Sequence, residues 1–194
     1  MKYGSIDVVV CNAGIDPEII FSSDPNDEMA REARNQVRFN YLADEVEPDT
    51  KGDLKCPPNT VMDVNLTGVM YGIKLSVHYM RKAGGGRIVV IGSAASYIPV
   101  PEQSIYCASK HAVLGLVRAT SQRSECKENN IAISMVAPWL TATPLTSKLD
   151  NNLTRDVPVS SGANVSIAVA INVTDRGSMS TARAYGFRDR LTPK

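Results

Sequence analysis

Ile6 to Gly14 reads I-D-V-V-V-C-N-A-G, a short run of β-branched residues that stops at an asparagine–alanine–glycine turn. A continuous apolar run of this length, without the alternation of a half-wetted strand, predicts a strand buried on both faces of a parallel sheet. Two later runs are built the same way. They are Arg87–Gly92 (R-I-V-V-I-G) and Ile131–Val136 (I-A-I-S-M-V), the latter ending at Ala137-Pro138. Helical stretches separate them. Val61, Val64, Val69, Ile73, Leu75, Val77 and Met80 predict a helix over Thr60–Lys82, stopped by Gly84-Gly85-Gly86. A second helix is predicted from Ser104 to about Lys127. Strands alternating with helices of this length imply right-handed βαβ units around a parallel sheet, so the fold class is α/β.

The flanks are less regular. Between Asp16 and Asn59 the chain is polar, densely charged and broken by Pro25, Pro48, Gly52, Pro57 and Pro58. A short helix around Asp27–Phe39 is predicted there and the remainder reads as loop. Loops of such length inside a compact domain are more often functional than structural. After Pro144 a weaker helix over Val165–Asn172 and a last strand over Ala182–Phe187 are predicted.

With 194 residues the chain is long enough for one domain, 1–194, with a sizeable core. Its 21 basic and 20 acidic residues leave a net charge of +1, which gives no electrostatic case for nucleic acid or an anionic membrane. Cys11, Cys56, Cys107 and Cys126 are scattered, and His78 and His111 do not cluster with them, so no metal site is expected. Unpaired thiols suit a reducing cytoplasm. No apolar run reaches the roughly 18 residues that cross a bilayer, and the opening M-K-Y-G-S-I-D is not built like a signal peptide.

Chemistry gathers where predicted strands end, as it does in open parallel sheets. Asn12-Ala13-Gly14, Gly92-Ser93 and Pro138 to Pro144 lie at such ends, and Y-C-A-S-K, Tyr106 to Lys110, opens the second helix. Residues four apart share one helix face. An ammonium beside a phenol favours the phenolate, lowering a pKa that starts near about 10 and making Tyr106 usable as a general base. Alone, a tyrosine and lysine at this spacing more often form a solvated face. The triple glycine follows a helix and precedes a strand, the reverse of a phosphate cradle, so it reads as a turn. G-S-A-A-S lacks the second glycine of a nucleophile elbow, and no histidine–acid pair is placed to activate Ser93, which disfavours a serine hydrolase.

Taken together, these motifs resemble the short-chain dehydrogenase/reductase family from Tyr3 to about Leu145. The matching features are the strand ending in N-A-G, V-N-L-T-G at Val64–Gly68, Ser93 placed 13 positions before Tyr106, Y-x-x-x-K at Tyr106 and Lys110, and P-W-L-T-A-T-P at Pro138–Pro144. The resemblance implies a Rossmann-like sheet with flanking helices and an oxidoreductase that exchanges a hydride between NAD or NADP and a secondary alcohol or ketone. It implies Tyr106 as acid/base, Ser93 as hydrogen-bond donor to the substrate oxygen, Lys110 as modulator of Tyr106 and ribose ligand, and Asn65 as holder of a relay water. Asn12, Ala13 and Gly14 would line the cofactor ribose, with Thr141 and Thr143 at the nicotinamide carboxamide. Tyr97, Ile98, Val100 and Gln103 would face the substrate. Trp139 stands where the family usually has glycine.

No glycine-rich turn precedes Ile6, so the chain is expected to be the C-terminal, catalytic portion of the family fold without its first βαβαβ half. Two alternatives stay open. One is a cofactor-deficient relative acting as an inactive or binding subunit. The other is an isomerase or dehydratase using the same tyrosine. The runs around N-A-G-I-D-P-E, V-N-L-T-G-V-M-Y and A-S-K-H-A-V-L-G-L-V-R resemble fungal hydroxy-polyketide dehydrogenases of secondary metabolism and the 15-hydroxyprostaglandin dehydrogenase branch. A homo-oligomer paired through the two predicted helices is implied as well.

Overall fold

The computed structural model describes residues 4–16, 42, 46–47, 50–57, 59–100, 103–141 and 165, together with the backbone of 183–185. Its centre is a parallel sheet in the order β1 (Val8–Cys11), β2 (Gly86–Ile91), β3 (Ile131–Pro138), β4 (Arg183–Tyr185). The connection from β1 to β2 ends in α1 (Thr60–Met62), a π-turn (Asp63–Thr67) and α2 (Gly68–Ala83), which run on as one helical rod. The connection from β2 to β3 carries a 3₁₀ turn (Ala94–Ser96), α3 (Ser104–Ser121) and the short α4 (Ser124–Lys127). The predicted helix over Asp27–Phe39 lies outside the described residues. Of the predicted Val165–Asn172 helix only Val165 is described, and it is helical. Within the long polar segment Val46 bridges Leu54 in antiparallel fashion, a contact with no sequence signal.

The apolar runs of β2 and β3 are explained by cover on both faces. Ile88, Val90, Ile133, Met135 and Ala137 meet Val69, Ile73 and Met80 of α2 and Val113, Leu114 and Val117 of α3. On the opposite face Val89 and Val136 pack with Ile91 and Val165. β1 departs from the expectation of two buried faces. Val9 and Cys11 pack into the core, whereas Val8 and Val10 are 41% and 43% exposed. Among the described residues β1 ends the sheet and no helix covers its outer face, so its continuous apolar run is only half used. Leu75 likewise fits the helical period but is 58% exposed, on a stripe with Tyr71 and Tyr79.

The triple glycine works as the expected turn. Gly84 takes a left-handed conformation (φ 85°) after Ala83, and Gly85 N–H donates to Met80 O at 2.9 Å. The two positions differ in tolerance. A Cβ on Gly84 would meet nothing within 4 Å, so Gly84→Ala should cost only the left-handed penalty of about 1–2 kcal/mol. Gly85 has φ 132°, and its Cβ would stand 2.6 Å from the Asn130 carbonyl oxygen, which is backbone. Gly85→Ala should therefore be the more destabilising, by about 3 kcal/mol or more. Urea unfolding of both variants checks this ordering, and equal midpoints would contradict it.

Candidate active site

The turn after β1 and the first turn of α3 are joined by one buried side chain. Asn65, with no exposed surface, sits in the π-turn. Its Oδ1 accepts Ile15 N–H at 2.8 Å, and its Nδ2 donates to Ile15 O at 2.9 Å and to Ser109 Oγ at 3.1 Å. Both amide hydrogens are thus used within the protein. A relay water expected at Asn65 would need another of its atoms.

Ser93 ends the extended backbone after β2 and opens the 3₁₀ turn. Its Oγ accepts Ala95 N–H at 3.2 Å, while Ser96 Oγ accepts Ser93 N–H at 3.3 Å, a reciprocal capping box. The same Ser93 hydroxyl hydrogen-bonds the Tyr106 phenol. Capping and site chemistry therefore coexist: the cap fixes Ser93 where its proton meets Tyr106. Lys110 lies one turn along α3. It is buried, donates to Ile91 O at 3.1 Å, and holds its Nζ 5.5 Å from the centroid of the Tyr106 ring. Gly14 completes the group, because a Cβ there would stand 3.5 Å from both Lys110 Nζ and Asn65 Oδ1. Asn12, Ala13 and Gly14 are exposed around it.

The electrostatics differ from the sequence expectation. Burial pushes Tyr106 up to about 12; the Ser93 hydrogen bond pulls it down, and the negative charges of Asp16 and Cys107 add to the rise. Burial lowers Lys110 to about 8, opposed by the Asp16 carboxylate. The phenol is thus raised rather than lowered, because desolvation penalises its anion more than its neighbours favour it. Asp16, half-buried and next to the clamped Ile15, acts on both groups. Sequence reading passed over it as the first residue of a polar loop. Ser109, which carried no sequence signal, touches both Asn65 and the Tyr106 carbonyl.

The remaining positions spread out. Thr141 is buried just past β3 and its hydroxyl donates to Trp139 O at 3.1 Å, so its polar atom points back along its own chain. Thr143 lies outside the described residues. The Tyr97 ring lies under the Arg118 guanidinium, 5.9 Å from the centroid. Arg118 is twelve residues beyond Tyr106 on α3, roughly 18 Å along a helix.

Known proteins resemble the chain in sequence and in fold. The short chain dehydrogenase family profile matches residues 1–154. The chain is 34% identical over 176 residues to a short-chain dehydrogenase/reductase, prx4, of Penicillium roqueforti, covering 89% of this chain and 46% of the relative. It is 30% identical over 92 residues to rat 15-hydroxyprostaglandin dehydrogenase [NAD(+)], covering 46% and 35% respectively. Among solved structures, ElxO with NADP bound superposes with a TM-score of 0.64 at 21% identity, over 94% of this chain and 66% of that one, a likeness of fold. The chain spans about half the length of the curated relatives it matches, 46% to 52% for the first of them. With the family profile running through the N-A-G turn, the Asn65 clamp and the Ser93–Tyr106–Lys110 group alike, the chain belongs to the short-chain dehydrogenase family.

Proposed function

We propose that the protein is an oxidoreductase that moves a hydride between NAD or NADP and a secondary alcohol or its ketone. The observation carrying this reading is the Ser93 hydroxyl bonded to the Tyr106 phenol, with the Lys110 ammonium against the same ring at the carboxyl ends of parallel strands. The residues fit the ribose end of a nicotinamide cofactor. Asn12, Ala13 and Gly14 present exposed backbone, Gly14 leaves the approach to Lys110 open, and Lys110 keeps two N–H donors beyond the one given to Ile91. When bound, the nicotinamide supplies the acceptor or donor of the hydride. The chain's own residues manage the proton. Toward the alcohol, Tyr106 holds its proton at neutral pH and donates it from Oη to the substrate oxygen as negative charge develops there, with Ser93 donating a second hydrogen bond. Toward the ketone, the proton passes from the substrate hydroxyl to Tyr106, whose anion Ser93 stabilises. Lys110, near 8, exchanges protons close to neutral pH and so suits the step between Tyr106 and solvent.

A bulky, apolar secondary alcohol is the substrate class this reading favours, supported by the similarity to the prostaglandin enzyme. A role in fungal secondary metabolism rests on the sequence runs noted above and the Penicillium relative. Self-association through α2 is supported by the exposed stripe of Tyr71, Leu75 and Tyr79, and four free thiols support a cytoplasmic setting. Among the described residues no helix is long and apolar enough to cross a membrane.

Turnover of a panel of secondary alcohols, followed by nicotinamide absorbance with each cofactor, tests the reading. Tyr106→Phe should lower it by about 10²–10⁴-fold or more, since it removes the proton donor at the reacting oxygen. Lys110→Met should lower it too, and move the residual pH profile. A Tyr106→Phe variant within a few-fold of the parent would sink the assignment, while cofactor binding without turnover in the parent would favour the binding-subunit reading. A third variant tests the charge balance. The Asp16 carboxylate raises both Tyr106 and Lys110, so Asp16→Asn should shift the ionisations of the rate profile to lower pH. A shift to higher pH would contradict that sign.

A further inference from the structure

We propose that Ser109 is a positioning residue for this site: its hydroxyl ties Asn65 to the first turn of α3 and so fixes where Tyr106 and Lys110 stand relative to the turn after β1. The inference deepens the oxidoreductase reading and rests on it. Ser109 has no exposed surface, and its Oγ lies 2.7 Å from Tyr106 O and 3.1 Å from Asn65 Nδ2. A hydroxyl has one proton. A carbonyl can only accept, so that proton goes to Tyr106 O, and Oγ must receive the Asn65 amide hydrogen. The direction of every bond follows: the Asn65 amide exchanges a pair with Ile15, then donates to Ser109, which donates to the backbone of the residue carrying the phenol.

This chain of bonds crosses three elements, the turn after β1, the π-turn and α3. A serine in a helix interior ordinarily bonds back to its own preceding turn, as Ser76 does to Gly72 O at 2.6 Å. Ser109 makes that bond and also receives one from a different element. Tyr106 lies three residues before it and Lys110 one after, so a shift of the helix at Ser109 moves both. The titratable groups that face Lys110 among the described residues are Asp16 from the β1 turn and Tyr106 from its own helix. The tie at Ser109 holds the three at fixed separations.

The experiment uses the full chain with Ser109→Ala and Ser109→Thr, judged folded by circular dichroism. Competitive acetylation with peptide mass spectrometry reads the titration midpoint of Lys110, and steady-state kinetics read kcat and KM. In Ser109→Ala the Lys110 midpoint should rise from about 8 toward its ordinary value, because the burial that lowers it is loosened. The kcat should fall by about tenfold or more with KM little changed, as misplacement of acid/base groups costs rate rather than binding. Ser109→Thr keeps the hydroxyl and should restore both readings toward the parent. Asn65→Ala with Ser109→Ala should be no worse than Asn65→Ala alone. An unchanged Lys110 midpoint with near-parental kcat in Ser109→Ala would overturn the proposal, as would full additivity of the two substitutions. Should Ser109→Ala not fold, Ser109→Cys, which keeps the volume and weakens both bonds, carries the same test. A parent without turnover sinks the oxidoreductase reading, yet the Lys110 midpoint still decides the placement of Ser109.

Discussion

Asn65 is a primary amide buried in a protein interior, where each unmet donor or acceptor would cost about 1–3 kcal/mol. Its three bonds, two to the Ile15 backbone and one to Ser109, both settle that cost and determine the geometry around them. The turn after β1 cannot shift without breaking the Ile15 pair. α3 cannot slide without losing Ser109. Sheet, turn and helix meet at this one side chain, and the exposed Asn12–Gly14 backbone and the Tyr106–Lys110 pair inherit their separation from it.

The π-turn is what allows Asn65 to be there. The buried positions Val61, Asn65, Val69 and Ile73 are spaced by four residues three times in succession. In a regular helix each such step overshoots one turn by about 40°, so three would carry the last well round the rod. A wider turn over Asp63–Thr67 absorbs part of the overshoot and keeps Asn65 on the face that meets the sheet and α3. That spacing was visible in the sequence, but read against an apolar period it passed for a straight helix, because Asn65 is polar and was not counted with the core.

The same contrast explains what else could and could not be read in advance. β2 and β3 were legible because cover on both faces leaves an uninterrupted apolar run, and α3 because its apolar face is periodic. β1 has the same kind of run, yet nothing in three valines and a cysteine tells one covered face from two; that depends on what packs outside it. Ser93, Tyr106 and Lys110 were legible as a spacing that resembles a known family. Asp16 and Ser109 were not, since their importance lies in proximity across elements far apart in the chain. Tyr97, between two site residues in sequence, has its ring under the Arg118 guanidinium, another contact across elements that carried no sequence signal.

The pair at the centre was expected to be poised by attraction between an ammonium and a phenolate. Burial reverses that picture, since removing both groups from water favours the neutral phenol and the neutral amine together. Tyr106 near 12 and Lys110 near 8 leave the phenol protonated around neutral pH and the lysine close to its own midpoint. The two nearest modifiers of Tyr106 then pull in opposite senses: the Ser93 hydroxyl stabilises its anion, while the Asp16 carboxylate opposes it and favours the charged lysine. A site arranged this way keeps its proton on the phenol and its readily exchanged proton on the lysine. Any positive charge brought against the phenol would act with Ser93 and against Asp16, so the direction in which Tyr106 works is set by what binds beside it and not by the Tyr106–Lys110 spacing alone.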